Sequence, residues 1–280
     1  MPARYFVIAS VEDTGYMAWQ ARLFHYSCLT ALGAAPLIFV HGMRETPHPY
    51  LVDIVRTGGV VYSAPNYRVR EGRRRDYPPR NTAAALIHAA ELTDRDDAYF
   101  VLCDADMLFV RPPDFAAGLS GDRYDYMSYD DAAVRHAGAV LGVSGEYLQA
   151  RGDTLRVGVP YVIPARHALA LGTRWMDAID AFVEHSWIDG MHAFGLAAAS
   201  LELSVAVTRS MVTNGSHDAL VDAPMIHYCY GDVRWNKRDF AAADRVADVW
   251  EPRDDGAPGS VLAEIARQLR AAREFYEEKR

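Results

Sequence analysis

The first hundred residues alternate short apolar runs with amphipathic segments, and this order limits the chain to few folds. The runs "YFVIAS", "PLIFV", "VVYSA" and "AYFVLC" are typical of buried strands. Between them, "YMAWQARLFHYSCLTAL", "YLVDIVRT" and "NTAAALIHAAELT" are typical of helices. Strand-helix-strand order predicts an α/β fold: a Rossmann-like, mostly parallel sheet flanked by helices. In such open sheets ligands bind beyond the carboxyl ends of the strands.

The second half continues with helices and strands that would surround the same sheet. Helices are predicted at "ARHALALGTRWMDAIDAFVEH", "DGMHAFGLAAASLEL" and "SVLAEIARQLRAAREFYEEKR", and strands at "YVIP", "SVAVT" and "APMIHYCY". Neither an internal repeat nor a low-complexity linker marks a boundary. We therefore expect one domain over residues 1–280, with residues 246–280 as a C-terminal helical extension.

Composition narrows the partners and the compartment. Half of the 280 residues are hydrophobic, and the formal net charge of −8 argues against nucleic acid or an anionic membrane as the main partner. The three cysteines are far apart and form no C-x-x-C pair, which fits a reducing compartment. "MPARYFVIAS" lacks the regions of a secretion signal, and no apolar run is long enough to span a bilayer. We expect a cytoplasmic protein without a membrane span, bacterial by its richness in Ala and Arg.

The stretch "YFVLCDADMLFVRPP" interrupts an apolar strand with Asp104-Ala105-Asp106. Carboxylates two residues apart can face the same side, where they repel unless a cation lies between them. A magnesium or manganese ion would relieve this repulsion and could hold a diphosphate on its open positions. The other interpretation is a turn in which one Asp caps the following segment.

Two further groups would suit a phosphate-bearing ligand. His227 ends the run "APMIH" and could complete a metal shell, although a His among aromatics is more often a packing residue. Beyond it, Trp235, Lys237 and Arg238 combine two cations with an aromatic ring, a set suited to a leaving phosphate. A solvated charged turn is the alternative for this second group.

Two other segments each allow a structural and a functional interpretation. Residues 65–80, "PNYRVREGRRRDYPPR", are a surface loop rich in arginine that could meet an anion where Asn81 caps the next helix. Asp189 opens the helix "DGMHAFG", where it is an N-cap or faces a sugar or an acceptor hydroxyl. The aromatics that could stack on an acceptor, although such residues are more often core, are Tyr161, Trp175, Trp187, Phe194 and Trp235.

Several common catalytic templates are missing from the sequence. It contains no G-x-S-x-G, no H-E-x-x-H, no G-x-x-x-x-G-K-[ST], and no G-x-G-x-x-G after the first strand. Hydrolase, zinc protease, P-loop and Rossmann dehydrogenase interpretations thereby lose their simplest support.

Blocks along most of residues 5–240 resemble one branch of the GT-A glycosyltransferases. The chain resembles the plant peptidyl hydroxyproline O-arabinosyltransferases and the related peptidyl serine α-galactosyltransferases. The similar blocks follow the family order: "WQARLFHYS", "DYPPRNTAAALIH", "LCDADMLFVRPP", "VGVPYVIPARHAL", "SWIDGMHAFGLAAASLEL" and "MIHYCYGDVRWNKRDF". Ordered agreement of this kind is more specific than a lone Asp-x-Asp.

The resemblance implies a metal-dependent, retaining transfer of a sugar, arabinofuranose or galactose-like, from a UDP-sugar to a hydroxyl. The acceptor would be a peptide, a protein or a small molecule. About residues 1–130 would form the nucleotide-sugar half and about 131–245 the acceptor half. By position, Asp104, Asp106 and His227 would hold manganese or magnesium, with Asp104 also contacting the donor. The implied donor-side residues are Tyr77, Pro78, Asn81, Lys237 and Arg238.

Two departures from the family pattern keep other functions open. Thr82 stands where the family has Lys, and Asp189 is displaced by one residue from the family acid. Asp189 is therefore a candidate catalytic residue only as a replacement for that acid. A sugar-phosphate nucleotidylyltransferase would also use paired carboxylates and a metal. A sugar-nucleotide or glycan-binding protein without catalysis is the third possibility, which Thr82 and Gly190 motivate as departures from the family pattern.

Overall fold

The structure is a computed structural model that describes residues 4–69, 76–93, 95, 97–184, 186–214, 216–229 and 231–279. Arg70, Arg73, Arg74 and Arg75, the centre of the arginine-rich loop, lie outside the described residues. Among the residues that are described, no helix combines the length and the apolar character needed to cross a membrane.

The described residues form ten strands and eight α-helices, which alternate from β1 to β4 and then occur in runs. The strands are β1 (Arg4–Glu12), β2 (Leu37–His41), β3 (Val60–Ala64), β4 (Ala98–Asp104), β5 (Met107–Phe109), β6 (Ser120–Arg123), β7 (Val157–Pro164), β8 (Ala206–Thr208), β9 (Val212–Thr213) and β10 (Met225–His227). The helices are α1 (Gly15–Leu32), α2 (Pro49–Arg56), α3 (Pro79–Ala90), α4 (Ala132–Val140), α5 (Gly145–Arg151), α6 (Ala165–Ala181), α7 (Asp189–Ser200) and α8 (Val261–Glu277).

Seven strands build a central sheet in the order β3-β2-β1-β4-β7-β6-β8, and β5-β10-β9 form a small second sheet. Strands β2 and β3 pair in parallel, whereas β7 runs antiparallel to both β4 and β6. The interrupted strand of the sequence is therefore divided between two sheets: β4 ends at Asp104 and β5 begins at Met107.

The chain forms two compact units. The first comprises Met1–Ile8, Asn66–Cys103 and Phe115–Arg209. In it α6 packs against α3 and α7. Its core holds Tyr161 stacked on Phe194 at 3.9 Å between ring centroids, with the edge of Trp175 against both. Three of the five aromatics proposed as acceptor contacts are thus core residues, which agrees with the structural alternative for them.

The second unit comprises Ala9–Pro65, Asp104–Asp114 and Ser210–Arg280. Its core surrounds Trp19 of α1, which stacks on Tyr228 and meets the ring edges of Trp235 and Phe240. Helix α8 contributes one apolar side to this core; its buried side chains there are Val261, Leu262, Ile265, Leu269 and Ala272. Trp235 is buried, so it too is a core residue.

Several predicted helix ends are wrong, two of them at α3 and α6. Asn81 is not the N-cap of α3, because the helix begins at Pro79, and proline is favoured in a first turn where its missing N–H has no partner to lose. The Asn81 side chain instead accepts a hydrogen bond from the Tyr67 N–H at 2.8 Å. Helix α6 ends at Ala181, before the predicted "FVEH", where Phe182 becomes extended.

A buried hydrogen bond joins α1 to α8 in the second unit. His25 Nδ1 lies 2.6 Å from the Tyr276 hydroxyl, which donates to the Arg22 carbonyl at 3.1 Å. Burial lowers the pKa of His25 to about 4. The folded state therefore holds a neutral imidazole, whereas the unfolded chain protonates it near its ordinary pKa.

Stability should fall on acidification because of His25. The stability associated with neutral His25 is fully present above the pKa that His25 has in the unfolded chain. It is lost as the pH falls toward the lower pKa that His25 has in the folded protein. We expect the free energy of unfolding of the wild type to drop by about 2 kcal/mol more than that of His25→Leu between about pH 7 and about pH 5. Urea unfolding at both values measures the difference. His136→Leu, at an exposed histidine of α4, should keep the wild-type slope; equal slopes in His25→Leu and wild type would contradict the assignment.

Candidate metal centre

The Asp-Ala-Asp segment is fixed by its middle residue and by backbone bonds. Ala105 is buried in a cluster with Val11 and Ala18, and its carbonyl accepts a hydrogen bond from the Tyr228 hydroxyl at 3.3 Å. The Asp106 carbonyl accepts from the Tyr228 N–H at 3.1 Å. The two carboxylates consequently occupy defined positions: the Asp104 side chain is 44% exposed and that of Asp106 only 10%.

The β5–β10 ladder brings His227 to these carboxylates. The two strands are antiparallel, and their register sets His227 opposite Met107, the residue after Asp106. His227 Nε2 lies 3.3 Å from Asp106 Oδ1 and 3.8 Å from Asp104 Oδ2. A contact between residues far apart in the sequence thus follows from the pairing of two short strands.

The donor set suits a hard divalent cation. One ligand atom from each of Asp104, Asp106 and His227 lies within 4.8 Å of the other two. Octahedral ligands at about 2.1 Å from an ion are about 3 Å apart when adjacent and about 4.2 Å apart when opposite. The imidazole distances fall within that range. Two carboxylates and one neutral imidazole fit magnesium or manganese.

A lysine already offsets part of the negative charge. Lys237 forms an ion pair through Nζ with Asp106 Oδ2, on the other oxygen from the one nearest His227. Lys237 begins a 3₁₀ helix, Lys237–Phe240, whose N-cap Asn236 accepts from the Arg238 N–H at 3.0 Å. Because the preceding Trp235 is buried in the core, this short helix holds the ammonium group at the carboxylates.

The titration of the cluster reflects burial and the opposed charges. Burial and the Asp106 charge raise the pKa of Asp104, despite the charges of His227 and Lys237. For Asp106, burial is outweighed by the charges and hydrogen bonds of His227 and Lys237, so its pKa is lowered. The pKa of Lys237 is raised because the attraction of Asp106 exceeds the cost of burial. Asp106 is thus the carboxylate held most firmly in its charged form.

Tyr16 is a neighbour of the cluster that the sequence patterns did not indicate. Its phenol is half-buried, and burial raises its pKa, with Lys237 and Asp106 close enough to act on it electrostatically. Tyr16 lies in the first turn of α1, just after β1. The rule that ligands bind beyond the carboxyl ends of strands could have directed attention to it.

Of the other predicted donor-side residues, Arg238 is exposed in the second unit. Tyr77, Pro78 and Asn81 lie in the first unit, around the start of α3. The Tyr77 hydroxyl accepts from the Gly190 N–H at 2.6 Å and donates to the Ser186 carbonyl at 3.1 Å. Tyr77 is therefore joined to the helix that contains Asp189.

Asp189 is the first residue of α7, and the N-cap position belongs to Ile188. The predicted N-cap role for Asp189 is thus wrong. Its carboxylate accepts hydrogen bonds from the N–H and the Oγ of Ser186, three residues earlier in the chain, at 2.5 and 2.8 Å. His192 Nδ1 lies 3.6 Å away. Burial would raise the pKa of Asp189, but the nearby His192 and the hydrogen bonds from Ser186 outweigh it and the pKa is lowered. The carboxylate closes the turn that begins α7.

Comparison with known proteins identifies the fold. Neither a family model nor a curated protein matches the chain. Among solved structures, it is similar to the glycosyltransferase GlyE of Streptococcus pneumoniae TIGR4, with a TM-score of 0.53 and 11% identity over 98% of this chain and 64% of GlyE. The chain is also similar to an active-site mutant of LgtC, with a TM-score of 0.52 and 13% sequence identity over 95% of each chain.

Both neighbours are GT-A-type glycosyltransferases. The predicted GT-A-like fold, an α/β sheet flanked by helices, is thereby confirmed. The chain spans 64% of the length of the GlyE structure.

Lys237→Met should destabilise the metal-free protein and increase its response to metal. Removing the ammonium leaves the Asp106 charge partly uncompensated, at a cost of about 3 kcal/mol in the free energy of unfolding. A divalent ion would restore the lost positive charge. We expect the rise in melting temperature on adding MnCl₂ to be larger in Lys237→Met than in wild type, as measured by differential scanning fluorimetry.

Lys279→Met is the matched control, since Lys279 is the other lysine of the chain and is exposed. It should behave as wild type in both conditions. An equal manganese response in Lys237→Met and wild type would contradict the view that lysine and metal serve the same carboxylates.

Proposed function

We propose that this chain is a metal-dependent, retaining glycosyltransferase that moves a sugar from a UDP-sugar to the hydroxyl of an acceptor. The observation that carries the proposal is the Asp104–Asp106–His227 group at the end of β4, a central strand of a GT-A-like sheet. Paired carboxylates and an imidazole at a strand end suit a metal that holds a diphosphate.

The parts of the proposal have different support. Glycosyl transfer is supported by the neighbours in fold, of which GlyE is a glycosyltransferase by name. The UDP donor, retention and a sugar of the arabinofuranose or galactose kind are supported by the sequence resemblance alone. The metal is supported by the donor set of two carboxylates and one imidazole.

Glycosyl transfer needs positive charge near the diphosphate of the donor, because negative charge develops there when the bond to the sugar breaks. In the transfer, the bond between sugar C1 and the β-phosphate oxygen breaks, C1 bonds to the acceptor oxygen, and the proton of the acceptor hydroxyl passes to the departing UDP. A bound divalent ion would neutralise charge on the departing diphosphate. Asp104, Asp106 and His227 would hold that ion. Lys237 would move between Asp106 and the phosphate oxygens, because an ammonium pairs with either anion.

Ligand binding should be visible as stabilisation. A ligand that binds only the folded protein, present at about 100 times its Kd, stabilises by about 2.7 kcal/mol, or about 5 °C for a chain of this size. We expect a rise of that order with UDP plus manganese and little with UDP alone. Differential scanning fluorimetry over nucleoside diphosphates, triphosphates and UDP-sugars measures it.

Asp106→Asn should lose this rise, because it removes the charge of the most firmly ionised ligand. Asp239→Asn, which changes an exposed acid in the adjacent 3₁₀ helix, should retain it. A rise with nucleoside triphosphates alone would favour nucleotidylyl transfer instead.

Turnover should depend on the same carboxylates. We expect release of UDP from UDP-galactose or UDP-arabinofuranose to require manganese and to stop in EDTA. The double variant Asp104→Asn with Asp106→Asn should lower kcat/KM by at least about 100-fold, since it removes two metal ligands. If the double variant transferred sugar as fast as the wild type, and EDTA did not reduce this transfer, the metal assignment would be refuted. Binding of UDP without turnover of any donor would leave a sugar-nucleotide-binding protein.

A further inference from the structure

Trp187 is the exposed tryptophan of this chain. All five tryptophans lie within the described residues; Trp19, Trp175, Trp235 and Trp250 are at most 5% exposed, whereas Trp187 is 73% exposed. Tryptophan is among the most buried residue types on average, because its indole is the largest apolar side chain. An indole left in water at the start of α7 is therefore unexplained by the packing of the first unit.

A second exposed aromatic ring lies against it. Tyr126 is 47% exposed, and its ring centroid lies 5.3 Å from that of Trp187 at an interplanar angle of 45°. Tyr124 supports Tyr126 from the protein side, edge-on at 5.5 Å, and its hydroxyl donates to the Val159 carbonyl at 3.1 Å. Tyr126 and Trp187 together form an aromatic surface, which we call the Tyr126–Trp187 platform.

Ion pairs hold the Tyr126 side of the platform in place. Arg123 donates to Asp125 Oδ1 at 2.7 Å and to the Asp153 carbonyl at 2.6 Å. Arg156 donates to the Asp125 carbonyl, and the Met127 N–H closes a turn on the Tyr124 carbonyl at 3.2 Å. The loop from Tyr124 to Met127 is therefore ordered by contacts on both sides of Tyr126.

The Trp187 side is fixed by the start of α7. The preceding residue, Ser186, donates from both its N–H and its Oγ to the Asp189 carboxylate. Two exposed rings on anchored segments form a preorganised surface, and preorganisation lowers the entropic cost of binding. A position that served only solubility would need no aromatic ring.

We infer that the Tyr126–Trp187 platform binds the apolar face of a pyranose ring in a carbohydrate acceptor. The electron-rich faces of Trp and Tyr attract the polarised C–H groups of such a face. The Asp125 carboxylate beside Tyr126 is largely exposed, and its hydrogen bond to Arg123 lowers its pKa. It is therefore a charged acceptor for sugar hydroxyls. The binding stands on the platform alone; naming its ligand the acceptor rests on the proposed function.

The geometry favours a sugar over a proline-rich peptide. Proline-binding grooves are aromatic-lined slots that a pyrrolidine ring enters. Rings whose centroids are 5.3 Å apart touch each other and leave no slot between them. The two ring planes meet at 45°, so a pyranose would stack on one ring and donate hydroxyl hydrogen bonds to the exposed Asp125 carboxylate next to Tyr126, which a proline side chain cannot do.

Acrylamide quenching of tryptophan emission tests the inference, because Trp187 dominates the quenchable signal. The probes are cellotriose, maltotriose and xylotriose, with decaproline as the competing ligand class. We expect at least one trisaccharide to protect Trp187 from acrylamide at millimolar concentration. Tyr126→Ala keeps the fluorescence of Trp187 but removes the other ring of the platform. The same protection of Trp187 from acrylamide should then require about tenfold more sugar.

Tyr147→Ala removes another exposed tyrosine of the same unit and should leave protection unchanged. Equal protection in Tyr126→Ala and wild type, protection by decaproline in place of the sugars, or no protection by any trisaccharide would each overturn the inference.

The stabilisation by UDP and manganese, measured on the same samples, separates this inference from the proposed function. Nucleotide stabilisation without sugar protection removes the platform assignment and leaves the glycosyltransferase. Sugar protection without nucleotide stabilisation leaves a carbohydrate-binding protein and removes the transfer.

Discussion

Compensation of negative charge where β4 ends is the constraint on which this molecule depends. Asp104 ends β4 and Asp106 precedes β5, and the Asp106 side chain is nearly buried. The two carboxylates would repel each other without a positively charged partner. Lys237 supplies that positive charge, and His227, which is charged only when protonated, approaches from a separate segment. The β5–β10 ladder, the buried Trp235 and the 3₁₀ helix after it are the elements that deliver these two groups.

Much of this architecture was predictable because it depends on local patterns. The apolar run "VVYSA" is strand β3 with the predicted bounds, and "YMAWQARLFHYSCLTAL" is contained in α1. The carboxyl-end rule, applied to the sequence alone, is enough to select Asp104 and Asp106. Such features need only a few consecutive residues, whose periodicity and turn chemistry act within one element.

Other features depend on pairings that no local pattern contains. His227 was a candidate from its place at the end of an apolar run and from the family resemblance, but its 3.3 Å distance to Asp106 follows from the alignment of β10 with β5, two strands of three residues each. By contrast, the N-cap role predicted for Asp189 was wrong for a local reason: its carboxylate accepts from Ser186, three residues earlier, in a Ser-x-x-Asp pattern at the helix start. Of the five aromatic residues proposed as acceptor contacts, four are buried in the cores and only Trp187 is exposed. Residue type alone does not predict this difference, because it depends on tertiary packing.

Metal binding at the strand break is the central claim. The most direct measurement is an anomalous difference map from crystals of the protein with MnCl₂ and UDP, recorded at the manganese absorption edge. We expect one strong peak within about 2.5 Å of carboxylate oxygens of Asp104 and Asp106 and of His227 Nε2. We also expect Lys237 Nζ to have moved toward the diphosphate. A map with bound UDP and no peak at these three residues, or a peak elsewhere, would contradict the claim.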